Sequence, residues 1–322
     1  MGLKDIFEDF EVPLDDWIQV VLDALVSEFR PFFQALRWPV GRLLDSLETF
    51  LIGMPPEVLL IGLFLIAWQF ANIRVAGFAV CSMLVLGFIG IWEEAMTTIS
   101  LILTSVIFCI VIGIPLGVWT ARSNRVESIL RPVLDVMQTL PGFVYMVPVV
   151  MLVGIGNVPG VIVTIVFALP PVIRLTNLGL RQVSSEVVEA ARSFGASERR
   201  VLFRVQFPLA AKTIMAGINQ TIMMSLAMVV YASMIAVEGL GQMVLRGIGR
   251  LDMGLAALGG LGIVILAMVM DRVTQASIGQ SQDTARWNER GPAGLARRCA
   301  LLVKPGAPVG GGDRATEKLR NK

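Results

Sequence analysis

The sequence predicts an all-α, polytopic membrane protein, and three observations carry that expectation. The chain has 322 residues, of which 55% are hydrophobic and only 16% charged, with a mean hydropathy of +0.73. A soluble domain has too little interior to hide so much apolar surface. Apolar runs approaching the ~20 residues of a helical crossing recur along it. Between two of these runs lies a charged stretch, Glu189 to Pro208, that reads as two short soluble helices joined by a tight turn.

Taken in order, residues 1–56 form an extramembrane or interfacial segment. Its start carries Asp5, Glu8, Asp9, Glu11, Asp15 and Asp16 rather than a basic region and an apolar core, so no cleavable signal peptide is expected. Trp17, Val20, Val21, Ala24 and Leu25 make one helical stripe, and Val40, Leu43, Leu44, Leu47 and Leu51 a second after Pro39. These fit amphipathic helices on the outer membrane boundary or an extramembrane helical hairpin; either serves as a scaffold. Seven spans follow within 57–276, near 57–71, 75–92, 98–119, 133–155, 158–178, 213–237 and 255–270. The first pair is joined by the short Asn72 to Arg74, so 57–71 also fits a re-entrant or interfacial hairpin with its neighbour. Residues 277–322 form a basic tail rich in Gly and Pro, expected to be disordered and close to the membrane.

Cytoplasmic loops are enriched in Lys and Arg, and this sets the orientation. Arg74, then Arg122, Arg125 and Arg131, then Arg174, Arg181, Arg192, Arg199, Arg200, Arg204 and Lys212 all fall in connections on one side. The alternate connections hold Glu93 and Glu94, the uncharged 157–160, and the stretch from Glu238 to Asp252, where Arg246 and Arg250 balance the acids. The N-terminus is therefore expected outside and the C-terminus in the cytoplasm, where ten Lys/Arg face five Asp/Glu from Asp271 onward. The expected location is a membrane, crossed several times.

Within the charged stretch, Glu189, Ala190 and Ala191 favour a helix, Gly195 can take the left-handed conformation that ends one, and Ser197 can cap the next. Val201, Leu202, Val205 and Leu209 recur at helical spacing beside Arg199, Arg200 and Arg204. A segment apolar on one side and basic on the other is built to be held by another protein.

Several chemistries are excluded. With no histidine, histidine proton relays, Ser-His-Asp triads and His-ligated metals are absent. Cys81, Cys109 and Cys299 are dispersed, with neither disulfide nor metal-ligand spacing. None of the five lysines follows a glycine, so there is no phosphate-binding loop for ATP. Span interiors lack the ionisable residues on which ion coupling commonly relies; Asp135 and Arg174 sit near inner ends. The chain is thus read as a non-hydrolytic subunit driven by an external motor, with an ion-coupled secondary transporter or an osmotic channel as the rival readings. Nucleic acid is not an expected partner.

The polar residues inside the spans are neutral. Gln138, Thr139, Asn219, Gln220, Thr221 and Ser225, with Pro141, are candidates for a pathway that passes a zwitterion. The plainer reading of each polar residue is a hydrogen bond between helices, worth ~1 kcal/mol. Pro141, in Gln138-Thr-Leu-Pro-Gly142, and the prolines of Ala168-Leu-Pro-Pro171 allow bending. Gly113-Ile-Pro-Leu-Gly117 marks close helix contact.

Glu189-Ala-Ala191, three residues, Gly195, nine residues, then Val205-x-Phe207-Pro208 resembles the signature loop of the membrane subunits of bacterial ABC importers. From about Leu14 the chain is similar to the membrane permeases of glycine betaine/L-proline importers. That similarity lies in Phe108–Gly117, Arg131–Pro148, Gly154–Thr176 and Gly239–Ala256. The resemblance implies a type I ABC importer permease core with N-terminal scaffold helices. The loop, within 182–210, would couple to an ATPase through Glu189, Ala190, Ala191, Gly195, Ala196, Ser197 and Pro208. It also implies a second copy of this permease, two ATP-binding subunits that hold the ATP and Mg, and a periplasmic or lipid-anchored substrate-binding protein, all amid membrane lipids. This chain itself would bind no cofactor or metal. Another small quaternary amine or an amino acid is the alternative cargo. The sequence departs from the pattern in a shorter N-terminus, in Glu238 where a small residue is expected, and after Ser277.

Overall fold

A computed structural model describes residues 14–279, all of whose regular elements are helical. In chain order they are α1 (Leu14–Gly53), α2 (Pro56–Phe70), α3 (Ile73–Ile89), α4 (Trp92–Arg122), α5 (Asn124–Thr139), a 3₁₀ turn (Gly142–Tyr145) and α6 (Met146–Val153). There follow α7 (Asn157–Arg181), α8 (Ser185–Ser193), α9 (Glu198–Val201), a π-helical segment (Leu202–Gln206), α10 (Phe207–Ala232), α11 (Leu240–Arg250) and α12 (Met253–Gly279). Cys299 and all but the first residues of the expected tail lie outside the described residues, as does the acidic start of the chain.

The body is built on α4, α7 and α10, which approach closely because glycines line their contacts. A Cβ at Gly113 would lie 2.2 Å from Val172 Cγ1, and one at Gly117 2.5 Å from Thr176 Cβ. On the other flank of α7, a Cβ at Gly217 of α10 would sit 3.0 Å from Leu175 Cβ. The close contact expected at Gly113 and Gly117 is therefore present. Small residues permit the backbone approach from which helix association in a membrane derives its dispersion energy.

Among the described residues, four helical stretches are long and apolar enough to cross a membrane: Trp92–Arg122, Asn157–Arg181, Glu198–Ile235 and Met253–Ala276. The run expected as a single span over 133–155 is instead two helices, Asn124–Thr139 and Gly142–Val153, bent by 107°. Pro141 accounts for the break, since it lacks the N–H that would continue the helix and disfavours a helical conformation at Leu140, which is extended with ψ 137°. A second bent pair, Gln34–Gly53 and Pro56–Phe70, turns by 109° at the Pro55-Pro56 junction. Helices α2 and α3, of 15 and 17 residues, are joined through Asn72, whose side chain accepts the Val75 N–H at 3.1 Å.

Pro39 does not separate two amphipathic helices, as the sequence suggested. Helix α1 runs for 40 residues through both Pro31 and Pro39. Val40 and Leu44, 0% and 1% exposed, seat its C-terminal half in the core with Val149, Val153 and Val161. Two such burials, about 1.5–3 kcal/mol each if withdrawn from water, offset the roughly 3 kcal/mol cost of an internal proline. Arg37 Nη1 donates to the Val153 carbonyl at 3.2 Å, and Thr97 Oγ1 to Glu48 Oε1 at 2.9 Å. Helix α1 is thereby strapped across the end of the body opposite the 182–210 loop. The exposed Glu238 lies at this same end, its N–H donating to Asn157 Oδ1 at 2.9 Å.

Candidate coupling loop and pathway

The loop is clamped at its base and free at its tip. Leu202, Ala210 and Ile214 pack with Leu180, in the last turn of α7, and Val188 is the buried residue of α8. Beyond that base Glu189, Ala190, Gly195 and Ser197 are exposed and Ala191 and Ala196 half-buried. Helix α8 ends in a closed hydrogen-bonded turn, with Ala196 N–H on the Ala191 carbonyl at 3.1 Å and Gly195 N–H on the Arg192 carbonyl at 2.8 Å. This is the Schellman arrangement, which requires a left-handed residue at its centre; Gly195 supplies it with φ +80°. A Cβ there would meet nothing within 4 Å. Glycine is needed for its backbone conformation and not for space.

Across the turn Arg192 grips Glu198 with two bonds, of 2.8 and 3.2 Å. The hydrogen bond from Arg192 holds the Glu198 carboxyl below the usual carboxylate range, and the same bond raises Arg192. Ser197 occupies the N-cap position in an extended conformation, yet its side chain makes no capping bond; the expected cap is one of place only. Phe194, at the apex, is 93% exposed.

The second helix of the motif is not short. It continues from Glu198 to Ile235 as one 38-residue stretch, passing through the π-helical segment, where Phe207 N–H reaches the Leu202 carbonyl. Pro208 explains the wider turn. It cannot donate to the Arg204 carbonyl, and its ring crowds that oxygen in a regular α-helix. Val201 and Leu202 face the body, whereas Leu209, expected on the same apolar stripe, faces outward at 58% exposed.

Beside the loop, α4, α5 and α7 enclose a cleft of about 420 Å³ with ion pairs along its wall. Arg174 bonds Asp135 at 2.5 Å and Arg181 bonds Glu127 at 2.8 Å. Arg181 also donates to the Thr120 carbonyl at 2.9 Å and to Asn124 Oδ1 at 2.8 Å, and Asn177 donates to Glu127 at 3.2 Å. Arg181 thus holds the joint between α4 and α5 against α7. Arg181 also donates to Asn177 Oδ1 at 2.7 Å on its own helix; its other partners, Thr120, Asn124 and Glu127, lie on α4 and α5.

The candidate pathway residues divide into three groups. Gln138, Thr139 and Pro141 gather at the 107° bend, where Gln138 Nε2 approaches Met224 Sδ at 3.9 Å and Gly142 lies against Met228. Thr139 and Pro141 are exposed there, beside Leu140, Phe143 and Val144. Thr221 and Ser225 are fully buried in helix contacts. Thr221 Oγ1 donates to the Ala168 carbonyl of α7 at 3.0 Å, a bond between helices of the kind the plainer reading expects, whereas Ser225 Oγ donates to the Thr221 carbonyl at 2.9 Å within α10. Gln220 is exposed, and Asn219 donates to Asp271 Oδ1 of α12 at 3.1 Å. Asp271 was missed as a partner because nothing in its own surroundings points to α10.

Comparison with known proteins agrees with this architecture. A solved structure of the MetNI methionine ABC transporter in an inward facing conformation aligns over 62% of this chain and 98% of its own chain, at 20% identity and a TM-score of 0.54. The fold is thus that of a type I ABC importer permease. The glycine betaine/proline betaine transport system permease protein ProW of Escherichia coli K12 is 57% identical over 300 residues, 92% of this chain and 84% of that one. The glycine betaine/carnitine transport permease protein GbuB of Listeria monocytogenes 10403S is 45% identical, covering 82% of this chain and 95% of its own. The glycine betaine transport system permease protein OpuAB of Bacillus subtilis 168 is 40% identical over 82% of this chain and 94% of its own. Residues 113–278, spanning the glycine-lined core, the bend, the loop and the last helix, match the description "Binding-protein-dependent transport system inner membrane component". The chain belongs to that family of inner-membrane transport permeases.

Proposed function

We propose that this protein is the permease subunit through which an ATP-driven importer passes glycine betaine, proline betaine or a similar small zwitterion. The relatives whose names state such cargo support the substrate class. The observation that carries the mechanism is the loop: a turn closed by its own backbone, projecting Phe194 and the Glu189-Ala-Ala191 face, and continuous with a 38-residue helix that enters the body. A rigid tip on a long helix can transmit movement. Glu189, Ala190, Ala191, Gly195, Ala196, Ser197 and Pro208 form or shape the surface offered to a separate ATP-binding subunit, which holds the ATP and Mg. This chain hydrolyses nothing and binds no cofactor.

The loop faces the cytoplasm, as its flanking arginines favour, with the N-terminus outside and α1 lying where a substrate-binding protein would dock. Two ATP-binding subunits serve two copies of the permease. The exposed apolar face of α5 and α6, including Val136, Leu140, Phe143 and Val147, is offered to the second copy around the pathway. Gln138, Thr139 and Pro141 line that pathway, and Gln220 and Asn219 border it.

Reconstitution of the chain with candidate ATP-binding and substrate-binding proteins of the same organism tests this reading. The expected result is uptake of radiolabelled glycine betaine that requires ATP and all three components. Uptake by the permease alone, or uptake that collapses with a proton uncoupler while ATP is maintained, would overturn it.

A further inference from the structure

The bend between α5 and α6 leaves the last carbonyls of α5 without their helical partners, and for one of them the missing partner is fixed by the sequence. The Met137 carbonyl would ordinarily accept the N–H of residue 141, and Pro141 has none. An orphaned carbonyl within a span costs free energy unless another donor is found. The donor present is a side chain: Tyr145 Oη lies 2.7 Å from the Met137 carbonyl oxygen and 3.0 Å from that of Val136. A phenol has one proton. The Val136 carbonyl already accepts the Leu140 N–H at 3.2 Å and the Thr139 hydroxyl at 3.3 Å, so the Tyr145 proton belongs to Met137.

Tyr145 is well placed to keep that bond. It ends the 3₁₀ turn that Val144 N–H closes on the Pro141 carbonyl at 2.9 Å, and it packs against the buried cluster to which Met146, Val149 and Met228 belong. The turn beside it is pressed against α10, since a Cβ at Gly142 would come within 3.0 Å of Met228 Sδ.

We infer that Tyr145 is a positioning residue for transport: its hydroxyl replaces the hydrogen bond that Pro141 cannot make and holds the bend of the broken helix against α10. It is also the point at which the bend lets go. One side-chain bond joins the two arms, and its loss frees them to change angle without breaking any bond of either helix ladder.

The test is a double-mutant cycle on the full-length permease assembled with its partners, in a background lacking Cys81, Cys109 and Cys299. Labelling of a V144C reporter by a membrane-impermeant maleimide reads the bend directly and needs no knowledge of the cargo; ATP-dependent glycine betaine uptake reads its consequence. Y145F removes one oxygen atom and is expected to change the labelling rate by roughly three- to tenfold, as loss of one hydrogen bond allows. The same change should lower the maximal uptake rate while leaving the half-saturating substrate concentration unaltered. In a P141A background, where residue 141 regains its N–H, Y145F should change the labelling less than about twofold. Equal effects of Y145F in both backgrounds, or none in the native one, would overturn the assignment. Labelling is interpreted for variants that insert and elute as the native complex does. The inference rests on the proposed function only for the uptake arm, so a labelling cycle that holds without betaine uptake refutes the cargo and leaves Tyr145 in place.

Discussion

The two helix breaks at Gly195 and at Leu140–Gly142 are sealed by different means. At Gly195 the backbone seals itself, with two main-chain bonds of 2.8 and 3.1 Å around a left-handed glycine. At Pro141 the backbone cannot do so, and a tyrosine hydroxyl from four residues downstream takes over. A break closed by main-chain bonds keeps one angle and suits a part that transmits force. One closed by a single side chain can change angle at the cost of one hydrogen bond, which suits a part that must open. The surroundings accord with this: charged Glu189, Arg192, Glu198, Arg199 and Arg200 flank the loop tip, whereas the bend carries no charge and lies beside methionines, whose flexible side chains adapt to movement.

Substitutions can break this contrast or sharpen it. The largest effect is expected from F194A at the loop tip. A phenylalanine that fills a partner's pocket as a hot spot contributes about 2 kcal/mol or more, so affinity for the ATP-binding subunit should fall about 30-fold or more, measurable by titration in detergent. Next is G195V, which forces a β-branched residue to φ +80°. At roughly 1–2 kcal/mol for the left-handed region, the turn should reopen and ATP-dependent uptake fall about tenfold, with membrane insertion and uncoupled ATP hydrolysis retained. If G195V proves milder than Y145F, the assignment of stiff and yielding breaks is reversed.

The smallest effect is expected from E198Q, because the pair with Arg192 is exposed on both sides and water screens it. Uptake should change less than about twofold. The lowered carboxyl of Glu198 implies that what the pair contributes is fully present above the ordinary carboxylate range and lost only as pH falls through its depressed value. Thermal unfolding of E198Q and the native protein should therefore show the same difference at pH 8 and pH 6. A difference that appears between those two values would point to another titrating group.

Local chemistry was legible in the sequence and long-range pairing was not. Gly195 ends its helix because only its own backbone is involved, and Pro141 interrupts the apolar run for the same reason, although the run of hydrophobic residues across it suggested one continuous span. Pro39 misled because the burial of Val40 and Leu44 against residues more than a hundred positions away outweighs a local preference. The bond of Thr221 to the Ala168 carbonyl was not legible either, because it depends on how α7 packs against α10. Arg181 and Asp271 gave no local sign of their roles, since their partners lie on other helices.

The π-helical segment at Leu202–Gln206 has a geometric consequence for the loop. A regular α-helix advances about 100° per residue, and a π turn accommodates one residue more than an α turn. Everything on the N-terminal side of this segment is therefore rotated about the helix axis by roughly one residue's arc from where an unbroken α-helix would carry it. Deleting one residue between Leu202 and Gln206 would scarcely shorten the structure. It would let the helix close as a regular α-helix with Phe194 near its present bearing, whereas forcing regular α geometry on the full count of residues would swing the tip around the body by that arc.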